Sequence, residues 1–485
     1  MMKLLFVSIL AAILAVGCVE GRRGDPVRQE SGVTAEAVLP ITGTFINLAY
    51  QDVRNLYTNP PYIDNTDPQM WEVKIREMKE MGMEYLVFMA VANEGRAYYP
   101  SGLMPWQYPS WRKSPVDAIM DTAAELGMKV FMSTGWAKDQ DDNLRIPAIK
   151  QRQMEMMAEL AAIYGGHPAF YGWYLPVEDC MGPVLTDYAV DAVNALTARA
   201  RELTPSAKIL ISPYGIFNSD FDDPRYEQQV SRLQVDIIAY QDEVGCVREK
   251  YPLTRLRENW KKLRAIHDKT GVEMWANCES FAWEKGTNDR TSALIPASFS
   301  RLLSQQAAAT VGGVDRIISF MMCGIYENPE SQYQLGQPHW SGRAYGDYMA
   351  WLVGDSPWKH AEGAWLGKYG QPATEDPADT LWTVYEPGTH EVAISIPDTE
   401  GSLLVRMLNC CKDGIAPPAK LFLFASEDGE EWSLTGIKDS PAFPNTNHDA
   451  FVDCVLFEGL VPDAQYHLTF TAASEAYMQY MTATD

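Results

Sequence analysis

From about residue 41 to residue 355 the chain alternates short apolar runs with longer runs that are apolar on one face only. "TGTFINL" (42–48) has the apolar, β-branched texture of a strand. "MWEVKIREMKEMGM" (70–83) repeats its apolar positions at helical spacing and meets Gly82 near its end. "EYLVFMAV" (84–91) is the next strand, and "SPVDAIMDTAAELGM" (114–128) is a helix opened by a Ser cap and a Pro at its first position. "KVFMST" (129–134) predicts a third strand, a helix follows over roughly 146–164, and "FYGWYL" (170–175) predicts a fourth strand.

The same alternation continues. "LTDYAVDAVNALTARARELT" (185–204) predicts a helix, "KILISP" (208–213) a strand, and 225–233 a short helix before the strand "VDIIAY" (235–240). "LTRLRENWKKLRAIHDKT" (253–270) predicts a helix and "VEMWAN" (272–277) a strand. "PASFSRLLSQQAAATVG" (296–312) is helical, "RIISFMM" (316–322) extended, and a last helix runs through "GRAYGDYMAWLVG" (342–354). Eight strand–helix units imply parallel pairing and predict an α/β fold of the (β/α)8 TIM-barrel type. A doubly wound open sheet is the alternative, and it lacks a glycine-rich phosphate loop after its first strand.

Past residue 360 helical spacing disappears until the last few residues. "TLWTVYEPGTHEVAISIP" (380–397) predicts two strands around a Pro-Gly turn, and "KLFLFASEDGEEWSLTG" (420–436) a hairpin turning at Asp-Gly. "CVLFEGLVPDAQYHLTFTAA" (454–473) adds two more strands. This is an all-β domain, read as a sandwich. Its run "SEDGEEW" resembles the S-x-D-G-x-x-W hairpin of carbohydrate-binding sandwich modules.

The N-terminus breaks the pattern. Lys3 precedes an uncharged apolar run, Leu4 to Val16, that ends in "LAVGC". This resembles a lipobox, which implies cleavage before Cys18 and lipidation of Cys18. "VEGRRGDPVRQESGVT" (19–34) has the composition of a tether. The expected organisation is a signal peptide over 1–17, a tether over 18–40, a barrel over 41–357 and a sandwich over 358–485. A lipid-anchored protein of the cell envelope of a Gram-negative bacterium is expected, periplasmic or at the cell surface.

The chain has 485 residues, 46% of them hydrophobic, and a formal net charge of −24. That charge repels phosphates, so nucleic acid is not an expected partner. No CxxC pair occurs among the eight cysteines, which argues against a zinc ribbon. "DNTD" (64–67) and "DQDD" (139–142) lack the spacing of a calcium loop. No metal or cofactor is expected, and a monomer is.

In a barrel the chemistry gathers where the strands end. Strand 4 ends in "LPVEDC", offering Glu178 and Asp179; strand 6 ends in "YQDE", offering Tyr240, Asp242 and Glu243; strand 7 ends in "WANCES", offering Trp275, Asn277 and Glu279. Glycosidic cleavage needs one carboxyl to protonate the leaving oxygen and another to attack the anomeric carbon or activate water. Strands 4 and 7 lie on opposite sides of a barrel mouth, so Glu178 and Glu279 are the candidate catalytic pair. Period-2 alternation puts Tyr174 with Glu178, and Trp275 and Asn277 with Glu279. Asn47, Trp136, Tyr174, Tyr240, Asp242, Trp275, Asn277, Tyr326 and Trp340 are the candidate substrate-binding residues.

These strand ends resemble those of the large glycosidase clan of (β/α)8 barrels, which implies the acid/base role for Glu178 and the nucleophile role for Glu279. That clan has Asn directly before its acid/base; Val177 stands here. "GWYLPVED", "YQDEVG" and "MWANCESF" more closely resemble a glycosidase-like barrel family of bacterial lipoproteins, described as a domain of unknown function (number 4434). The resemblance covers roughly 41–355 and implies a barrel hydrolase. The expectation is a retaining glycoside hydrolase acting on a poly- or oligosaccharide. The alternative is a non-catalytic glycan-binding lipoprotein that keeps the barrel as a scaffold.

Overall fold

The computed structural model describes residues 38–48, 67–93, 95–106, 113–133, 135–136, 142–246, 253–283, 294–297, 299–335, 338–353, 383–396, 402–409, 415–440, 451–461 and 464–482. The expected signal peptide, the tether up to residue 37 with Cys18, and Asp139 and Asp141 of the "DQDD" run therefore lie outside the described residues, as does the side chain of Trp340.

Eight parallel strands close a barrel: β1 (Ile41–Asn47), β2 (Tyr85–Ala90), β3 (Lys129–Ser133), β4 (Phe170–Tyr174), β5 (Lys208–Ile211), β6 (Ile237–Gln241), β7 (Glu273–Glu279) and β8 (Arg316–Phe320). Each strand pairs with its sequence neighbours, and β1 pairs with β8 to shut the ring. The helices are α1 (Pro68–Glu80), α2 (Pro115–Glu125), α3 (Pro147–Tyr164), α4 (Asp187–Leu203), α5 (Pro224–Arg232), α6 (Leu253–Thr270), α7 (Phe299–Val311) and α8 (Pro338–Leu352). All six residues of β2 are buried, as expected for a strand with side chains inside the barrel on one face and helices on the other.

Helix starts follow local chemistry. Asp67 accepts the Gln69 N–H before Pro68 opens α1. Ser114 and Asp117 form a reciprocal capping box ahead of Pro115 in α2. Each arrangement satisfies N–H groups that have no partner inside the helix.

The barrel interior is filled in layers. Near the strand starts, Trp275 packs edge-on against Tyr85 (ring centroids 5.1 Å apart) and Phe131 (6.0 Å). Towards the strand ends, Phe45 meets Tyr174 at 5.1 Å and Phe320 at 5.8 Å. The mouth lies above this second aromatic layer.

The C-terminal strands are β9 (Thr383–Tyr385), β10 (Gly388–Ser395), β11 (Ser402–Asn409), β12 (Lys420–Ser426), β13 (Ser433–Asp439), β14 (Phe451–Glu458), β15 (Gln465–Ala472) and β16 (Ala476–Thr482). They form two four-stranded antiparallel sheets, ordered β9-β16-β11-β14 and β10-β15-β12-β13. Leu403, Val405 and Met407 from one sheet and Leu421, Leu423 and Leu468 from the other share one core, so the pair is a sandwich. Leu408, Ile415 and Tyr477 instead join the apolar core of the barrel.

One expectation is corrected here. The last residues form strand β16, not a helix, because pairing with β9 and β11 overrides local spacing. The two strands expected around the Pro-Gly turn are present as β9 and β10, and they belong to different sheets: β9 pairs with β16, and β10 with β15.

Candidate active site

Glu279 is the last residue of β7 and is buried. Its Oε2 accepts the backbone N–H of Cys246 at 2.6 Å. The loop that brings this N–H into place starts at β6. There the Asp242 Oδ1 accepts two backbone N–H groups, Val244 at 3.2 Å and Glu279 at 3.1 Å. Its Oδ2 accepts the Gln305 side-chain amide at 2.7 Å. Burial pushes the Asp242 carboxyl above its ordinary range, and these donors work against that shift. Asp242 is fully buried, so it serves as an internal latch between the loops after β6 and β7 rather than as a contact for substrate.

The same loop carries backbone strain. Glu243 has φ 55°, a left-handed conformation rare for a residue with a side chain. Its Oε2 accepts the Gly215 N–H at 2.9 Å, tying the loop to the end of β5. Gly245 passes so close to β7 that an added Cβ would lie 2.3 Å from the Phe281 carbonyl and 3.1 Å from Glu279 Oε2. From the helix layer, the buried Arg301 donates to the backbone carbonyls of Glu279 (2.8 Å) and Phe281 (2.6 Å).

On the other side, the chain beyond β4 stays laddered to the chain beyond β5. Leu175 N–H donates to Leu210 O, Tyr214 N–H to Asp179 O, and Met181 N–H to Tyr214 O. Glu178 is half-buried on this extension. Asp179 Oδ2 accepts the Thr186 N–H at 2.8 Å, which fixes the approach to α4. Tyr174 is buried, and burial followed by the charge of Glu178 pushes its phenol well above the ordinary value. Tyr214 is 36% exposed. Burial raises its phenol too, and Cys180, Glu178, Asp179 and Glu243 add to the shift, which sets this ring among the carboxylates of the mouth.

The remaining candidates divide by direction and depth. Asn277 faces the axis: its amide donates to Ser212 Oγ at 3.1 Å, and its buried Oδ1 has no partner. Trp275 shares that face but sits four residues, about 13 Å, below Glu279. It belongs to the floor, with its indole N–H on Glu273 at 3.1 Å. Tyr240 points outward, where its hydroxyl meets His267 Nε2 of α6 at 2.8 Å and its ring packs on Trp260. Tyr326 is buried among helices, donating to Ala297 O at 3.1 Å. Tyr240, Asp242, Trp275 and Tyr326 therefore leave the expected substrate-binding set. A strand end fixes which residues are near the mouth, but one step in parity or depth moves a side chain into the helix layer or onto the floor. Asn47, the last residue of β1, is buried with 9% exposure. Trp136 is equally covered, and its indole nitrogen is buried without a partner.

Sequence reasoning missed Tyr214, Ser212 and the Cys246 N–H. The first two follow the short strand β5, whose end was readable, but neither is a carboxylate. A backbone N–H carries no sequence signal at all.

The four cysteines near the ends of barrel strands, Cys180, Cys246, Cys278 and Cys323, are free thiols. Among the described residues no group of three or more His, Cys, Asp or Glu is arranged to hold a metal ion.

The closed ring of eight parallel strands flanked by helices is a TIM barrel, with Glu178 and Glu279 near its strand ends. The chain belongs to the family described as "Domain of unknown function (DUF4434)", whose model matches residues 41–333. No curated protein matches the chain. A crystal structure from Bacteroides thetaiotaomicron, of a protein classed provisionally as an alpha-L-fucosidase, is 20% identical with a TM-score of 0.51; the match covers 70% of this chain and 99% of that one. GH10 from Paenibacillus barcinonensis is 13% identical over 66% of this chain and 97% of its own, with a TM-score of 0.39. The GH99 endo-alpha-mannosidase from Bacteroides thetaiotaomicron is 13% identical over 59% and 79%, with a TM-score of 0.35. At 20% identity the first of these likenesses shows the fold alone.

Proposed function

We propose that this protein is a retaining glycoside hydrolase acting on a poly- or oligosaccharide. The observation that carries the reading is the pair Glu178 and Glu279. One stands just past the end of β4 and the other ends β7, strands that lie three positions apart around the ring. In this reading Glu279 attacks the anomeric carbon while Glu178 gives its proton to the leaving oxygen. A covalent glycosyl-enzyme forms at Glu279. Glu178, now a carboxylate, takes a proton from water, which attacks the same carbon, and Glu279 leaves.

The geometry suits those roles. A backbone N–H can only donate, so the Cys246 N–H serves a carboxylate oxygen of Glu279 and holds the other one to a fixed direction. Glu178 is half-exposed beside Tyr174 and Tyr214, where a leaving group has access to it. The buried, unpartnered Asn277 Oδ1 leaves an acceptor below the mouth for water or a sugar hydroxyl.

We further infer that the chain is held to the cell envelope as a monomer through lipid on Cys18. The test of the enzymatic reading is a screen of full-length protein and its Glu279→Gln variant against a panel of neutral, amino- and uronic-acid-containing glycans. Reducing ends released by the wild type and not by the variant support it. Equal release by both overturns it.

A further inference from the structure

We propose that the outer face of the sheet β10-β15-β12-β13 is a second glycan-binding site, specific for an uncharged polysaccharide chain and separate from the barrel mouth. Leu421, Leu423 and Leu468 point into the sandwich core, so their sheet neighbours point out. The register sets Phe422 opposite Ile437, and Phe424 between Leu434 and His467. The bulge between Leu423 and Phe424 keeps both apolar residues of β13 on this outer face.

The patch is exposed. Ile437 is 50% exposed, Leu434 49% and Trp432 38%. His467 lies between two rings, 4.2 Å from Trp432 and 4.9 Å from Phe424. One side of the indole therefore covers the imidazole, and the exposure of Trp432 belongs to the side away from it. The turn that presents Trp432 is fixed by its own side chains. Ser426 Oγ accepts the Gly429 N–H at 2.8 Å, and Asp428 Oδ1 accepts those of Glu430 and Glu431 at 2.8 and 3.0 Å. A rigid aromatic platform loses little freedom on binding.

The chemistry around the rings selects the ligand. Thr389 and Thr471 share a hydrogen bond at 3.0 Å on the same face, and Glu391 lies 3.8 Å from His467 Nδ1, a buried nitrogen with no hydrogen-bond partner. A flat apolar surface bordered by hydroxyl and carboxylate acceptors matches a pyranose, with its C–H face and its ring of hydroxyl donors. Charge decides between occupants. Glu391, Glu430 and Glu431 border the patch, and the whole chain carries −24. A second copy would bring the same charge against it, and a uronate or phosphate polymer would be repelled. A neutral glycan meets no such cost.

The test is affinity electrophoresis of the full-length protein in gels containing xylan, glucomannan, mixed-linkage β-glucan or polygalacturonate. Retardation by at least one neutral polymer and none by polygalacturonate is expected. In Trp432→Ala binding should be about tenfold weaker, with Trp432→Phe in between, while far-UV circular dichroism and the Glu279-dependent release of reducing ends from short oligosaccharides stay unchanged. The barrel is intact in these variants, so failure here and failure of the hydrolase reading are distinguishable. Equal retardation of Trp432→Ala, or no retardation by any neutral polymer, overturns the proposal. So does a concentration-dependent dimer that Trp432→Ala abolishes, which would assign the face to a second copy.

Discussion

Cys246 donates its backbone N–H to Glu279 Oε2 at 2.6 Å, across the gap between the loop that follows β6 and the end of β7. The contact depends on Gly245, where a Cβ would lie 2.3 Å from the Phe281 carbonyl. Backbone cannot yield as a side-chain tip would, so Gly245→Ala must displace the loop and take the N–H with it. The expected result is a fall in kcat of about a hundredfold with little change in KM, because in the proposed mechanism the misplaced group acts on the reacting atoms. Steady-state kinetics beside a thermal melt check it; an unchanged kcat would remove the loop from the machinery.

The proposed pair makes opposite demands on rescue. Glu178→Ala and Glu279→Ala should each lose about a thousandfold or more in turnover. Azide should restore Glu178→Ala on a substrate with a good leaving group, by attacking the glycosyl-enzyme in place of water and giving a product of retained configuration. If azide restores Glu279→Ala instead, with inverted product, the roles are exchanged. If it restores neither, the retaining mechanism fails.

His267 predicts a dependence of stability on pH. Its Nδ1 faces the Val272 carbonyl at 2.8 Å, which can only accept, so Nδ1 carries the proton and Nε2 accepts from the Tyr240 hydroxyl. Burial lowers its pKa from 6.5 to about 4. The unfolded chain therefore takes up a proton between those values that the folded chain refuses. Stability is fully present above pH 6.5 and falls as pH drops towards 4, by about 3 kcal/mol at most. In urea titrations at pH 7 and pH 4.5, His267→Gln should show a smaller pH difference than wild type. An unchanged difference would assign the acid sensitivity to other groups.

Lys74 of α1 reaches the loop after β8 through a buried ion pair, with Nζ 2.6 Å from Glu327 Oε2 and both side chains at 2% exposure or less. Burial opposes the ammonium, yet Glu327, Cys323 and Glu77 raise its pKa overall, so Lys74 is charged. Glu327 also accepts the Gly324 N–H at 2.5 Å. Lys74→Met leaves a buried carboxylate without its cation and should cost about 3–5 kcal/mol. The double variant Lys74→Met, Glu327→Leu should cost less than the single one. Denaturant midpoints test the order, and a double variant worse than the single would show that packing rather than charge dominates there.

Cys18→Ser should release the protein from the membrane fraction. No helix among the described residues is long and apolar enough to cross a bilayer. Fractionation followed by immunoblotting checks this, and continued sedimentation of the variant with membranes would point to another anchor.

Much of the architecture was readable because it repeats. Eight apolar runs separated by amphipathic ones admit few folds, and the β1–β8 ring is the one they predict. The Asp-Gly hairpin of β12 and β13 was readable for the same local reason. The final strand β16 was not, since its pairing partners β9 and β11 lie some 70 to 95 residues earlier and local spacing says nothing of them.

The candidate site divides along the same line. Sequence by itself determined that Glu279 stands at the end of one strand and Glu178 just beyond the end of another, on opposite parts of one ring, because strand order is a property of the chain. Only the tertiary structure decided which neighbours accompany them. Tyr240 turned to His267, Trp275 went to the floor, Asp242 became a buried latch, and Tyr214 and the Cys246 N–H entered the mouth. The physical reason is that a side chain's depth, the path of a loop and the aim of a backbone N–H are set by packing between segments distant in sequence, and that packing has no local signature.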